Sequence, residues 1–172
     1  LVLAGGISLY VLRINKRLQA SLAEVRAAHD RLQVLSTAIE QSPTGVVVTD
    51  TETRIQYVNP HFCAISGFDS ADAIGQRPDM VNSGKNDPAI YREMWAALNA
   101  GRPWSGELLN KRKSGATYWE EVHIAAVRDE KGVTTHYVAV KLDVDARKQA
   151  EAKANRLIEE LTHANAELKA LN

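Results

Sequence analysis

The stretch Trp104-Ser105-Gly106-Glu107-Leu108-Leu109-Asn110-Lys111-Arg112-Lys113-Ser114-Gly115 decides the fold of this chain. Trp104 to Lys111 has the alternating pattern of a half-buried strand, and Ser114-Gly115 supplies a turn. Thr117 to Val127 then makes a long return strand, Asp129 to Gly132 a second turn, and Val133 to Leu142 a third strand. Short turns between successive strands predict an antiparallel meander.

Upstream of this meander the chain is broken into short elements. Ser42-Pro43-Thr44-Gly45 is a strong punctuation, and Val46 to Asp50 and Ile55 to Val58 read as a hairpin around Thr51-Glu52-Thr53. Asn59-Pro60 opens a short helix over His61 to Ser66, with Asn59 as the cap and Gly67 as the stop. Ser70 to Ile74 is a further helical turn ended by Gly75, and Gln76 to Asp87 is irregular. Pro88 to Ala100 predicts a helix capped by Asp87 and ended by Gly101, with Ile90, Met94, Trp95 and Leu98 on one side. The class is α+β: a five-stranded antiparallel sheet with helices on one face.

Helices flank this block. Asn15 to Glu40 contains neither Pro nor Gly, and Leu18, Leu22, Val25, His29 and Leu32 keep a heptad spacing before Leu35 and Ile39 shift phase. After Asp145 a cleaner seam runs through Ala150, Ala154, Leu157, Leu161, Ala164, Leu168 and Leu171. Isolated helices of this length are marginal in water, so a parallel homodimer through the flanking helices is expected, the alternative being a helix folded back on its own domain. Leu1 to Leu12 is apolar and uncharged, then meets Arg13, Lys16 and Arg17. Twelve residues fall short of the roughly 20 that span a bilayer. The segment reads as the end of a transmembrane helix with a cytoplasmic exit, or else as a buried helix end or leader remnant. The expected organisation is residues 1–14 as that membrane helix end, 15–38 as an N-terminal coiled-coil helix, 39–145 as the folded domain and 146–172 as a C-terminal coiled-coil helix. The expected location is the cell inner membrane, with the domain on the cytoplasmic side.

The 172 residues carry 21 basic and 21 acidic side chains, a net charge of zero, so no nucleic-acid partner is expected. The lone Cys63 excludes an internal disulfide, and the five histidines show no metal-ligand spacing. No dinucleotide-binding glycine motif and no acid-base constellation points to a self-contained enzyme.

The central block, from about Leu35 to Lys148, resembles a PAS domain. The fragments that carry the resemblance are Thr49-Asp50, Asn59-Pro60-His61-Phe62, Gly67-Phe68, Ile74-Gly75-Gln76, Met80-Val81-Asn82-Ser83-Gly84 and, most specifically, Trp104 to Gly115. Within the superfamily it is most similar to flavin-binding redox sensors of the NifL type. The light-oxygen-voltage group shares much of the pattern, but its Gly-Arg-Asn-Cys-Arg-Phe-Leu motif reads here as Gly75-Gln76-Arg77-Pro78-Asp79-Met80-Val81. Pro78 stands where the photoreactive cysteine belongs, and Lys141 stands where the light sensors carry a glutamine. Cys63 matches no photochemical position.

The resemblance implies FAD as cofactor, with FMN or no ligand as alternatives, and redox state or oxygen as the signal. It implies roles for specific side chains. Asn110 is the ring-contacting amide, against a turn-facing polar residue. Trp104 stacks on the ligand, against a plain core aromatic. Asn82 and Lys85 reach ribityl or phosphate oxygens, against solvent-facing roles. Thr49 faces the pocket. Glu120 holds the second amide position, and burial beside a flavin would raise its pKa. His136 and Lys141 are further candidates on the last strand, Lys141 as a cation beside the ring. Asp143-Val144-Asp145 resembles the Asp-(Ile/Val)-Thr junction to an output helix, with Asp145 expected to cap that helix and Arg147 to partner it. The implied partner is a C-terminal output domain, a histidine kinase or diguanylate cyclase. Other open readings are a PAS domain holding haem through Met80 or Met94, one holding an organic acid through Arg77, Lys85 and Arg92, and a ligand-free dimeric scaffold.

Overall fold

The computed structural model describes residues 2–170, and the side chains of residues 12–167. The chain divides into two units, residues 1–41 and 42–172.

The first unit is one continuous helix, α1 (Val2–Glu40). It joins the segments expected as separate pieces, since nothing from Ile7 to Glu40 breaks a helix. Its seam residues Leu18, Leu22, Val25 and Leu32 are exposed. The expected membrane helix end falls largely on residues 1–11, whose side chains lie outside the described residues. No helix among the described residues is long and apolar enough to cross a membrane.

The second unit contains β1 (Gly45–Asp50), β2 (Ile55–Val58), α2 (Pro60–Ser66), α3 (Ser70–Ala73), α4 (Pro88–Asn99), β3 (Trp104–Lys111), β4 (Thr117–Arg128), β5 (Thr134–Asp143) and α5 (Asp145–Ala170). The expected five strands are present, with ends moved by a residue or two. The irregular stretch before α4 contains a 3-10 turn, Pro78–Val81. The sheet order is β2-β1-β5-β4-β3, all neighbours antiparallel. The last strand in sequence therefore lies at the centre, between β1 and β4.

Local chemistry fixes where the helices start. Asn59 is fully buried; its Oδ1 accepts from Phe62 N at 3.0 Å and from Val46 N at 2.8 Å, while Nδ2 donates to Thr44 O at 2.9 Å. One side chain thus caps α2 and ties it to β1. Gly67 ends α2 at φ +75°, a conformation that glycine adopts without strain. Asp87 Oδ1 caps α4 by accepting from Ala89 N at 2.8 Å.

Two apolar clusters form the core. Val47, Ile55, Val58, Phe62, Ala73 and Val81 pack under the β1–β2 hairpin. Met94, Ala97, Leu98, Trp104, Leu108 and Val122 pack between α4 and the β3–β4 hairpin. The predicted inner face of α4 holds: Met94 and Leu98 are buried, and Ile90 and Trp95 pack against the same cluster.

The start of α5 departs from expectation. Asp143 Oδ1, rather than the Asp145 carboxylate, takes the first free amide, that of Asp145, at 2.9 Å. Asp145 already lies inside the first turn, too late to cap it, and instead accepts from Gln149 Nε2 at 3.2 Å. Arg147 does not partner Asp145 either. Its long side chain reaches the acidic pair on the sheet, Glu107 at 3.0 Å and Glu121 at 3.3 Å. Lys148 also pairs with Glu107, and its ammonium lies 5.3 Å from the centre of the Trp119 ring. Farther along, Leu157 and Leu161 of the C-terminal seam are exposed, while the side chains of Leu168 and Leu171 lie outside the described residues.

Candidate ligand site

A cavity of about 330 Å³ lies between the inner face of the sheet and α4. That is within the range of small-molecule sites, about 300–1,000 Å³. Strand alternation builds its floor from every second residue: Val47 and Thr49 on β1, Leu108 and Asn110 on β3, Val122 and Ile124 on β4, and Tyr137, Ala139 and Lys141 on β5. Tyr91, Met94, Trp95 and Leu98 of α4 form the opposite wall. Trp95 and Tyr137 meet edge to face, with centroids 5.8 Å apart and planes at 88°. Thr53, Arg77, Pro78, Asp79, Val81 and Asn82 complete the rim.

One end of this apolar chamber is polar and buried. Asn110, Glu120 and Lys141 are 3 %, 1 % and 5 % exposed. Asn110 Nδ2 donates to Glu120 Oε2 at 2.6 Å, and Lys141 Nζ donates to the same oxygen at 2.9 Å. The second oxygen, Oε1, accepts from the Tyr118 hydroxyl at 2.7 Å. Sheet register makes this possible. Asn110 pairs directly with Tyr118, and Val122 with Lys141, so Glu120 is the diagonal neighbour of both Asn110 and Lys141, within reach of long side chains. Burial, and then the Glu120 charge, pushes the Tyr118 phenol far above its ordinary pKa, so it stays a donor.

The loop over the cavity is pinned to β3. Asn86 Oδ1 accepts from Leu109 N at 2.8 Å, and its Nδ2 donates to Leu109 O at 3.0 Å and to the Tyr91 hydroxyl at 2.9 Å. Ser83 Oγ also donates to Leu109 O. Asn82 and Asn110 form an isolated backbone bridge that brings the loop onto the polar end.

Four of the eight sequence-derived site residues therefore line the cavity: Thr49, Asn82, Asn110 and Lys141. Glu120 stands behind two of them, Asn110 and Lys141, and bonds both. It is not a lone buried carboxylate but the shared partner of three side chains, and Lys141 is correspondingly a paired cation rather than a free one. Three residues fall elsewhere. Trp104 has the inward parity of Asn110 but lies six residues away along β3, about 20 Å at strand rise. It packs in the core under α4, its ring against Gly106, where a Cβ would come within 2.5 Å of it. Lys85 is exposed on the loop. His136 is paired with Asp50, one residue out of phase with Tyr137, and so points to the other face of the sheet. The aromatic walls are Trp95 and Tyr137 instead. Tyr118 and Asn86 also escaped notice. Tyr118 shares the parity of Glu120 on β4, a signal the sequence did contain, whereas nothing local marks Asn86. Among the described residues no group of His, Cys, Asp and Glu side chains is arranged to hold a metal.

The PAS domain family model matches residues 43–146, and the chain belongs to that family. Over 108 residues it is 34% identical to the nitrogen fixation regulatory protein of Klebsiella oxytoca, a match covering 63% of this chain and 22% of that protein. Over 157 residues it is 25% identical to the blue-light-activated histidine kinase of Rhizobium johnstonii, covering 88% of this chain and 46% of the kinase. The chain thus spans less than half the length of these relatives. Among solved structures it is similar to an RNA-binding light-oxygen-voltage receptor, with a TM-score of 0.67 and 25% identity over 74% of this chain and 37% of the receptor. It is also similar to the light-oxygen-voltage domain of Aureochrome1 in its dark state, with a TM-score of 0.59 and 26% identity over 73% of this chain and 93% of that domain.

Proposed function

We propose that this chain is a sensory PAS module that binds FAD in the cavity and senses redox state or oxygen, passing the state through a dimeric coiled coil to a C-terminal output domain. One observation carries the reading: an apolar, aromatic-walled chamber ends in the buried Asn110–Glu120–Lys141 cluster. A planar heteroaromatic ring with a polar edge matches both parts of that lining. When bound, a flavin supplies reversible electron uptake coupled to protonation at ring nitrogen N5, which turns an acceptor into a donor.

The protein's own residues make such a change consequential. Glu120 fixes the orientation of the Asn110 amide, since a flipped amide would set its oxygen against a carboxylate. Any reorientation of Asn110 therefore disturbs Glu120, which Lys141 and Tyr118 also hold. From there contacts continue without a gap. The Tyr118 ring lies 4.1 Å from the Arg112 guanidinium, Arg112 Nη2 donates to Asp143 Oδ2 at 2.9 Å, and Asp143 Oδ1 caps the first turn of α5. This is the route by which the cavity would address the output helix.

Redox sensing is favoured over photochemistry because Pro78 lines the cavity and brings no thiol, while Cys63 packs beside the hairpin core. The names of the relatives support the sensory role: a nitrogen fixation regulator and a histidine kinase. The exposed seams of α1 and α5 support the homodimer, and the apolar Leu1 to Leu12 followed by Arg13, Lys16 and Arg17 supports attachment to the inner membrane with the PAS domain in the cytoplasm. An absorbance spectrum of the purified protein tests the ligand. Yellow flavin bands support the reading, a Soret band replaces it with haem, and a colourless protein reduces it to a scaffold. Chromatography of the released nucleotide separates FAD from FMN.

A further inference from the structure

Thr53, in the β1–β2 turn, is unusual in two independent ways. Its φ is +64°, which no other described non-glycine residue matches in sign. For a β-branched side chain that conformation is strained, and strain of this kind collects at ligand clamps. Its hydroxyl oxygen, Oγ1, is also the one described side-chain polar atom that is buried without a hydrogen-bond partner. Buried polar groups are nearly always paired, so such an orphan calls for an explanation.

The turn does not supply one. Asp50 Oδ1 accepts from the amides of Glu52 and Arg54 at 2.9 Å each, and Thr53 N donates to Asp50 O at 3.1 Å. This geometry needs only a residue tolerant of the left-handed region, and glycine or asparagine would satisfy it more easily. Thr53 lines the cavity at its more exposed side. Backbone bonds from Ile55 N to Gln76 O and from Gly75 N to Ile55 O, each 2.8 Å, lace this turn to the Gly75–Asp79 segment. Arg77 and Asp79 there line the same cavity and are solvent-exposed. The buried polar end lies at Asn110 and Lys141, whereas Thr49 pairs with Tyr137, four residues along β5 from Lys141, on the side of the β1–β2 turn. A ligand ring seated at the polar end would pass its remaining chain out along this rim.

We propose that Thr53 is a ligand-contacting residue whose hydroxyl bonds an oxygen on the chain leaving the cavity: a hydroxyl or phosphate oxygen of the flavin tail. The inference rests on the flavin reading given above.

Binding of FAD, FMN and riboflavin to flavin-depleted protein, followed by fluorescence, tests it. Thr53→Val keeps the shape and removes the hydroxyl; about a tenfold loss of affinity is expected. Thr53→Ser keeps the hydroxyl and binds as the wild type. Thr53→Gly relieves the backbone, so it melts higher yet binds as weakly as Thr53→Val. A loss with all three flavins assigns the bond to a hydroxyl of the tail, and a loss confined to FMN and FAD assigns it to phosphate. If Thr53→Val binds all three as the wild type does, the role of Thr53 is overturned while the flavin reading stands. If the wild type binds none of them, both fall.

Discussion

Asn110 and Lys141, from strands on either side of β4, donate to the same oxygen of Glu120, at 2.6 and 2.9 Å. Neither is adjacent to the other in the sheet, and the carboxylate is what joins them. Removing its charge strands a buried ammonium, which is costlier than the pair is beneficial. Glu120→Gln is therefore expected to lower stability by about 3–5 kcal/mol, read by urea unfolding. Replacing both members, as Glu120→Gln with Lys141→Met, recovers most of that loss. Additive losses in the double variant would show that the two are not coupled.

Asn110→Ala removes the cavity amide while leaving the Glu120–Lys141 pair intact. One hydrogen bond of about 1 kcal/mol, differing between the two redox states, corresponds to roughly 20 mV for a two-electron couple. A shift of that order in the flavin midpoint potential is the expected result. An unchanged potential with unchanged output would remove Asn110 from the mechanism.

Arg112 joins three parts of the domain: the Tyr118 ring, Asp143, and the carbonyl of Ile65 at the end of α2. Both partners of its ion pair are about one-third exposed or less, 28% and 31%. Solvent screens part of that pair, so the expected cost of Arg112→Ala is about 1–2 kcal/mol. The more telling readout is hydrogen exchange. Amides of the first turn of α5 are expected to exchange faster, and the redox-dependent difference in their exchange to vanish, while Tyr118→Phe reduces that difference at a smaller cost in stability.

The base of α5 is held by charge, which gives it a pH dependence. The bond from Lys148, with added attraction from Lys148 and Arg147, holds the Glu107 carboxyl below its ordinary value of 4.5. A depressed carboxyl contributes stability that is complete above its unfolded value and is lost as pH falls through the folded one. Protection of the first amides of α5, taken relative to the intrinsic exchange rate at each pH, is expected to stay constant above about pH 5 and to fall below it. Glu107→Gln should exchange faster near neutrality and show a flatter acid response.

The sequence made some of this legible. Alternation from Trp104 to Lys111 and from Thr117 onward defined the hairpin that carries Asn110 and Glu120, because a strand's period of two is a strictly local property. Asn59-Pro60 and Asp87-Pro88 marked helix starts for the same reason. The polar cluster was not legible as a cluster. It depends on β5 entering between β1 and β4, which decides that Lys141 meets Glu120. Trp104 had the right parity and the wrong distance, since parity does not say where along a strand the cavity lies. His136 had the wrong parity relative to Lys141, a five-residue separation that already placed the two on opposite faces. The cap of α5 passed from Asp145 to Asp143 because the last strand runs to Asp143 and the helix begins at once.

Flavin-based redox sensing without photochemistry is tested most directly by the visible spectrum of the purified protein, recorded in air, after anaerobic dithionite, after re-admission of oxygen, and under blue light. Flavin bands that bleach on reduction, return with oxygen and do not change under illumination in air are the predicted result. A protein that releases no flavin on denaturation, or whose flavin forms a light-driven adduct despite Pro78, would contradict it.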